Sequence, residues 1–309
     1  MTDRLNMPTE KTTFIQWLRD IGFFTRIINY TLLIVTITPL VIGYIWLILA
    51  TFSTKTFGLR VEGWTLSNWA EFLAPGARPF GRSGYASIWV VTLNTFLIGL
   101  IMTVLVCSIS AMAGYALSRL NFPGRKGFLS MTLILHAFPS VTLLIAIYFI
   151  LDWFSSKPLI GKLIGYNTIG GVALVMVSLM LPFGVWLMKG FFDNLSWDME
   201  RAALIDGAGR FRLWWEIMLP QIRPGLAALA IFSFITGWGA YLVPATFLQG
   251  SATGTLATYM NQFIGDTAPT NWNVIAAVGL FQMIPVMIFF IFTQSYLLNI
   301  YSGGSKGGV

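Results

Sequence analysis

The chain has 309 residues, of which 56% are hydrophobic and 10% charged, with a formal net charge of +7; ordinary soluble domains carry about 25% charged residues, so this is the composition of an integral membrane protein. A single cysteine and a single histidine exclude a disulfide framework within the chain and any Cys- or His-cluster metal site. No G-x-x-x-x-G-K-[ST] phosphate loop occurs, so the chain does not bind ATP by that device.

The first 27 residues are polar and mixed in charge. Phe14, Ile15, Trp17, Leu18, Ile21 and Phe23 suggest a short helix lying along the membrane surface. No small-residue cleavage site precedes the first long apolar run, so this arm is expected to be retained. About 20 apolar residues cross a bilayer, and six runs qualify: 28–52, 88–117, 128–154, 170–188, 226–248 and 274–300. Backbone groups in hydrocarbon must be satisfied within the segment, so each run is expected to be a helix. The predicted fold is therefore an all-α membrane protein of six transmembrane helices, residues 28–301, with a short, unstructured tail over 302–309.

Several residues within the runs stand out. Pro39, Pro139, Pro182, Pro244 and Pro285 fall in five of the six; each fits either a hinge at a cavity or the ordinary tolerance of membrane helices for proline. Pro182, beside Gly184, is the best placed for a hinge. Ser110, Gly114 and Ser118 recur at four-residue intervals and offer a small face for close helix packing. Asn94, His136, Thr236 and Gln282 are polar at membrane depth, where hydrogen bonds between helices are the default reading.

Between the fourth and fifth runs lies a loop, 189–225, that cannot sit in hydrocarbon. Its stretch from Leu195 to Gly225 carries Asp198, Glu200, Asp206 and Glu216 against Arg201, Arg210, Arg212 and Arg223. It reads as two short helices about a break. Ser196 can cap the first, with Asp198 and Glu200 set against the positive end of its dipole. Met199, Ala202 and Ala203 form a small face left for an outside partner. Gly207 and Gly209 permit a sharp turn. Phe211, Trp214, Trp215, Met218 and Ile222 then make a bulky stripe suited to lying against the membrane domain or its interface.

Basic residues set the orientation. The arm, the loop around Arg119, Arg125 and Lys126, the 189–225 loop and the tail hold 13 of the 19 Lys and Arg, and the opposite side holds 6. Both termini and the loop are expected to be cytoplasmic, in a cell (inner) membrane. The positive charge on that side points to anionic lipid rather than nucleic acid.

The residues of this loop resemble a known family. Ala202, Ala203, Gly207, Ile217, Leu219 and Pro220 match the signature of ABC importer permeases: Glu-Ala-Ala, three residues, Gly, nine residues, Ile, one residue, Leu-Pro. The stretches LPFGVWLMKGFF, AGYALSRLNFPGR and IDGAG resemble permeases of the maltose-transporter, carbohydrate type. One position departs: the signature's Glu falls on Arg201, with an acid one place earlier at Glu200, a shift of about 100° around a helix.

The resemblance implies a type I importer permease fold in which the 189–225 loop carries a coupling helix. Glu200, Arg201, Ala202, Ala203, Asp206, Gly207, Leu219 and Pro220 would contact a separate ATPase. It also implies a second homologous permease subunit, two ATPase subunits that bind the ATP and Mg, an extracytoplasmic solute-binding protein, and no cofactor or catalytic residue in this chain. The solute would be a sugar or related polyol. Thr236, Trp238, Tyr241 and Gln282 are candidates for its path, although Trp and Tyr equally serve as anchors at the membrane boundary. Tyr259, Asn261 and Gln262, in the last external loop, are candidates for binding-protein contact, with a packed lid the alternative. The rival function is an ion- or proton-coupled carrier, for which the spans offer only His136 and Asp152.

Overall fold

The computed structural model describes residues 10–74, 86–250, 253–262 and 271–303. Helix α1 (Glu10–Thr51) leads into an antiparallel hairpin, β1 (Lys55–Phe57) with β2 (Arg60–Glu62), then a short α2 (Ser67–Leu73) and α3 (Ile88–Arg119). Next come α4 (Arg125–Ala137), α5 (Ser140–Ser155), α6 (Ile160–Ile164) and α7 (Ile169–Asp193). The charged stretch forms α8 (Trp197–Ile205), α9 (Arg210–Arg212), a π-helical turn (Leu213–Met218) and α10 (Leu219–Gln221). The chain continues with α11 (Arg223–Trp238), α12 (Leu242–Phe247), α13 (Leu256–Gln262) and α14 (Trp272–Gly303).

Among the described residues four helices, α1, α3, α7 and α14, are each long and apolar enough to cross a membrane, and counting two bent pairs as one span each, α4 with α5 and Arg210–Gln221 with α11, gives up to six. The 128–154 run is not one helix. Proline disfavours helical backbone in the residue before it; Phe138 takes ψ 132 ahead of Pro139, and α4 and α5 diverge by 102°. The 226–248 run stops at Trp238 and resumes as α12. Pro182, the favoured hinge, lies inside an unbroken α7, and Pro39 and Pro285 likewise sit within α1 and α14. The arm is no separate surface helix either, since α1 runs without interruption from residue 10.

Lipid supplies no hydrophobic force between helices, so their stability rests on close packing. The small face on α3 provides it. A Cβ at Gly114 would come within 2.8 Å of the Lys189 nitrogen on α7, and Gly184 of α7 faces Ser110 at similarly close range. Along this seam Met102, Val106, Met176, Met188 and Leu229 are buried between α3, α7 and α11. A second core gathers Phe72, Val91, Trp238, Leu256, Tyr259, Val274 and Val278 where α2 and α13 cover the ends of α3, α11 and α14. Two asparagines pin the same end of the bundle: Asn68 Nδ2 donates to the carbonyls of Thr51 and Ser53, and Asn273 Nδ2 to those of Ala50 and Ser53. Helix α1 meets the rest mainly along α14, and its apolar side chains from Phe24 to Leu49 are largely exposed.

Candidate functional site: a charged elbow and a membrane cleft

The elbow is built by local rules. The Ser196 hydroxyl accepts from the Asp198 amide at 3.1 Å and caps α8. At the other end the Ala208 amide returns to the Ala203 carbonyl and the Gly207 amide to that of Leu204, with Gly207 at φ +83°. This paired closure requires the left-handed conformation, which glycine adopts at no steric cost. The chain then turns into α9.

Helical spacing divides α8 into two faces. Glu200 and Ala203 are buried, whereas Arg201, Ala202, Leu204, Ile205 and Asp206 are exposed, Ile205 to 85%. The small face expected to point outward is thus split, with Ala203 packed into the core and Ala202 outside. The stripe after the turn is also redrawn. A π-helix closes i to i+5, so Leu213 and Met218 both point inward, followed by Ile222, while Phe211 and Trp215 are 76% and 56% exposed. Ile217 and Leu219 pack against the core, and Pro220 is half-buried.

Glu200 does not face outward. One carboxylate oxygen accepts from the Tyr115 hydroxyl at 3.0 Å, and the other lies 3.2 Å from Nε of Arg119, the last residue of α3. The Arg119 side chain is 1% exposed. Its Nη2 donates to the carbonyls of Phe192 (2.9 Å) and Leu195 (2.7 Å), and its guanidinium lies 4.3 Å from the Trp197 ring centre. Next to it the Ser118 hydroxyl donates to Asp193 at 2.6 Å, and Lys189 pairs with the same carboxylate. Arg201, at the position of the signature's acid, is outside and within 3.7 Å of Asp198.

The second feature is a cleft of about 370 Å³ where the α4–α5 bend meets the gap between α11 and α12. Thr236 and Tyr241 line it together with His136, Ser140, Met102 and Met176. His136 stacks on Phe183 with ring centres 6.0 Å apart. Among the described residues no carboxylate or permanent cation lines this cleft. Trp238 and Gln282 are elsewhere: the Trp238 indole, 3% exposed, donates to the Gln282 carbonyl at 2.9 Å and ties α11 to α14. Asp152 is exposed on α5 and takes no part in the cleft.

At the other end of the bundle Tyr259 is 1% exposed, turned into the second core. Burial, helped by the charge of Glu71, pushes its phenol above the ordinary range. Asn261 is exposed, and the side chain of Gln262 lies outside the described residues. The loop before α13 is fastened: Asn94 donates to the Gly254 carbonyl, and the Thr95 hydroxyl accepts from the Leu256 amide, each at 2.9 Å. The described part of this loop is thus packed and hydrogen-bonded to α3.

Sequence reasoning did not single out Ile205 and Tyr115, and it read Phe211 as part of the bulky stripe. Ile205 was legible in principle, since it shares a helical face with Arg201 and Ala202; Arg119 was read only as a basic residue setting orientation.

The family described as "Binding-protein-dependent transport system inner membrane component" matches residues 107–299. The maltodextrin transport system permease protein MdxG of Bacillus subtilis is 31% identical over 284 residues, 90% of this chain and 95% of that protein. The maltose/maltodextrin transport system permease protein MalG of Escherichia coli K12 is 32% identical over 205 residues, 65% and 67% of the two chains. Among solved structures, a chain of a bacterial ABC transporter involved in the import of alginate superposes with a TM-score of 0.69 at 18% identity, covering 90% of this chain and 96% of that one. The two share a fold.

Proposed function

The chain belongs to the family of binding-protein-dependent transport system inner membrane components, and from that premise we propose that it is one permease half of an ATP-driven importer for an oligosaccharide of the maltodextrin kind. A second permease chain would complete the path, two ATPase subunits would bind the ATP and Mg, and an external binding protein would deliver the solute. Relatives named for maltodextrin and maltose transport support the solute class. A neutral cleft edged by Tyr241, Thr236 and Ser140 suits a ring that stacks on an aromatic face while its hydroxyls find polar groups.

The observation that carries the coupling role is the two-sided elbow. Its inner side is anchored to the bundle, and its outer side presents Arg201, Ala202, Ile205 and Phe211, two of them large apolar groups at high exposure. Such a patch on a polar loop fits a protein partner. In this reading the elbow docks on the ATPase from the cytoplasm, Arg201 in place of an acid at the contact, and Glu200 acts from inside the chain. Both termini lie on that same side. Among the described side chains of α13, Asn261 is the exposed one and would meet a binding protein.

Replacing Ile205 with Asp tests this. It puts a charge on an 85% exposed position, where folding is indifferent, and is expected to reduce capture of the ATPase by at least about tenfold, as for loss of an interface anchor. Undiminished capture and uptake would count against the elbow as docking surface. A proton- or ion-coupled carrier predicts instead that neutralising His136 or Asp152 abolishes uptake while ATPase removal does not.

A further inference from the structure

The elbow is covalently joined to α7 on one side and, through α10, to α11 on the other, so a push on α8 has two obvious routes into the bundle. The structure provides a third. We propose that Arg119 is the joint by which displacement of α8 is delivered to α3, making it a positioning residue for energy coupling; this rests on the transport reading above.

Arg119 ends α3 and holds three separate pieces of the elbow at once. It binds the carbonyls of Phe192 and Leu195 at the end of α7, the carboxylate of Glu200 on α8, and the face of Trp197 at the start of α8. Tyr115, one turn back on α3, holds the same carboxylate. Apart from Glu200, α8 buries only Ala203, so polar ties to α3 are the main grip that the bundle has on this helix. The grip is strong because both charges are out of water: a buried ion that loses its partner is far costlier than one exposed to solvent. When α8 moves, the end of α3 moves with it.

Helix α3 is also the one best placed to use the motion. It is packed along α7 through Gly114 and Gly184 without a gap, and it carries Met102 into the cleft that Thr236 and Tyr241 line. Tight interfaces of this kind shift between discrete arrangements and do not stretch. An α3 pulled at Arg119 therefore adds its own displacement, through Met102, to whatever α7 and α11 bring to the cleft wall.

The test is coupling stoichiometry in the whole transporter reconstituted in vesicles, with maltodextrin as solute, recording ATP hydrolysed and solute taken up in the same preparation. Arg119→Met is expected to keep ATPase capture and hydrolysis while uptake per ATP falls by about tenfold, within the range of ordinary coupling energies. Rescue separates a mechanical role from a merely structural one. In a Cys107→Ser background, Tyr115→Cys and Glu200→Cys joined by a bifunctional thiol reagent replace the lost tie and are expected to restore the ratio in Arg119→Met. Unchanged uptake per ATP in Arg119→Met, or a tether that fails to restore it, overturns the joint. Should Arg119→Met not assemble, Glu200→Gln, which keeps the shape and the Tyr115 hydrogen bond, carries the same comparison, and a normal ratio there overturns it. If the unsubstituted chain gives no ATP-dependent uptake, the transport reading itself falls, and the joint with it.

Discussion

Gly207 holds φ at +83° with open space where a Cβ would stand, so a side chain there meets no neighbour and its cost is backbone strain alone. For an L-residue that strain is about 1–2 kcal/mol, and a β-branched residue is at the upper end. Gly207→Val is expected to lower the melting temperature of the solubilised protein by only a few degrees, about 2–4 °C per kcal/mol for a chain approaching this size. The larger effect is directional: losing the paired closure of α8 re-aims Ile205 relative to Phe211. ATPase capture should therefore fall far more than stability, measured by pull-down beside a thermal melt. Full capture with the melting shift intact would mean that the turn does not orient the docking face. The spacing of the glycine was readable from the sequence because the conformation it serves is local. The fate of Glu200 was not, because nothing near it in the chain announces Tyr115 and Arg119, 85 and 81 positions away. A carboxylate beside an arginine on a short helix reads as solvated until a long-range partner is known.

At the scale of elements, periodicity identified the apolar segments and missed how some of them end. Continuous runs at 28–52, 88–117, 170–188 and 274–300 appear as long helices because their propensity and their packing agree. The 128–154 run breaks at Pro139, yet α7 passes through Pro182. A proline removes one hydrogen bond wherever it sits; whether the helix breaks depends on the packing around it, and α7 is clamped on α3 while α4 and α5 are largely exposed. The π turn is a similar case, since inserting one residue into the helical register rotates Phe211 and Trp215 outward and no 3.6-residue pattern can report it. The small face of α3 was legible, and its purpose can be tested. Gly114→Leu drives a side chain into the backbone of Met188 and Lys189, which is fixed inside α7. Overpacking costs typically 1–3 kcal/mol and more where backbone must shift. Gly114→Leu is expected to cut the yield of folded protein severalfold, whereas Gly127→Leu, where nothing lies within 4 Å, should leave it unchanged. Equal yields would show that α3 and α7 are not held at that distance.

For the whole molecule the question is how an open half-bundle becomes a path for a solute. Two breaks border the cleft beside the continuous α3 and α7, the α4–α5 bend and the Gly239–Tyr241 gap. Irregular backbone at membrane depth is tolerated where it borders a cavity. The sequence offered Thr236, Trp238, Tyr241 and Gln282 as one group because they are polar or aromatic in adjacent runs. Helix geometry separates them: Thr236 and Tyr241 reach the cleft, while Trp238, two residues on from Thr236, turns to the opposite side and seals α11 against α14. Their substitutions should therefore differ in kind. Tyr241→Ala removes a ring that is 44% exposed at the cleft mouth and leaves the packing intact, so it should raise the half-saturating solute concentration or lower the uptake rate by about tenfold, the effect of one lost stacking partner worth 1–2 kcal/mol, with unaltered thermal stability. Trp238→Ala empties a buried site and removes the α11–α14 hydrogen bond, which costs about 3–5 kcal/mol, so it should reduce the amount of folded protein before any kinetic effect can be read. Uptake kinetics and a melting curve on the same two preparations decide the matter. If Tyr241→Ala melts early and transports normally per folded molecule, the residue is packing and the solute passes elsewhere.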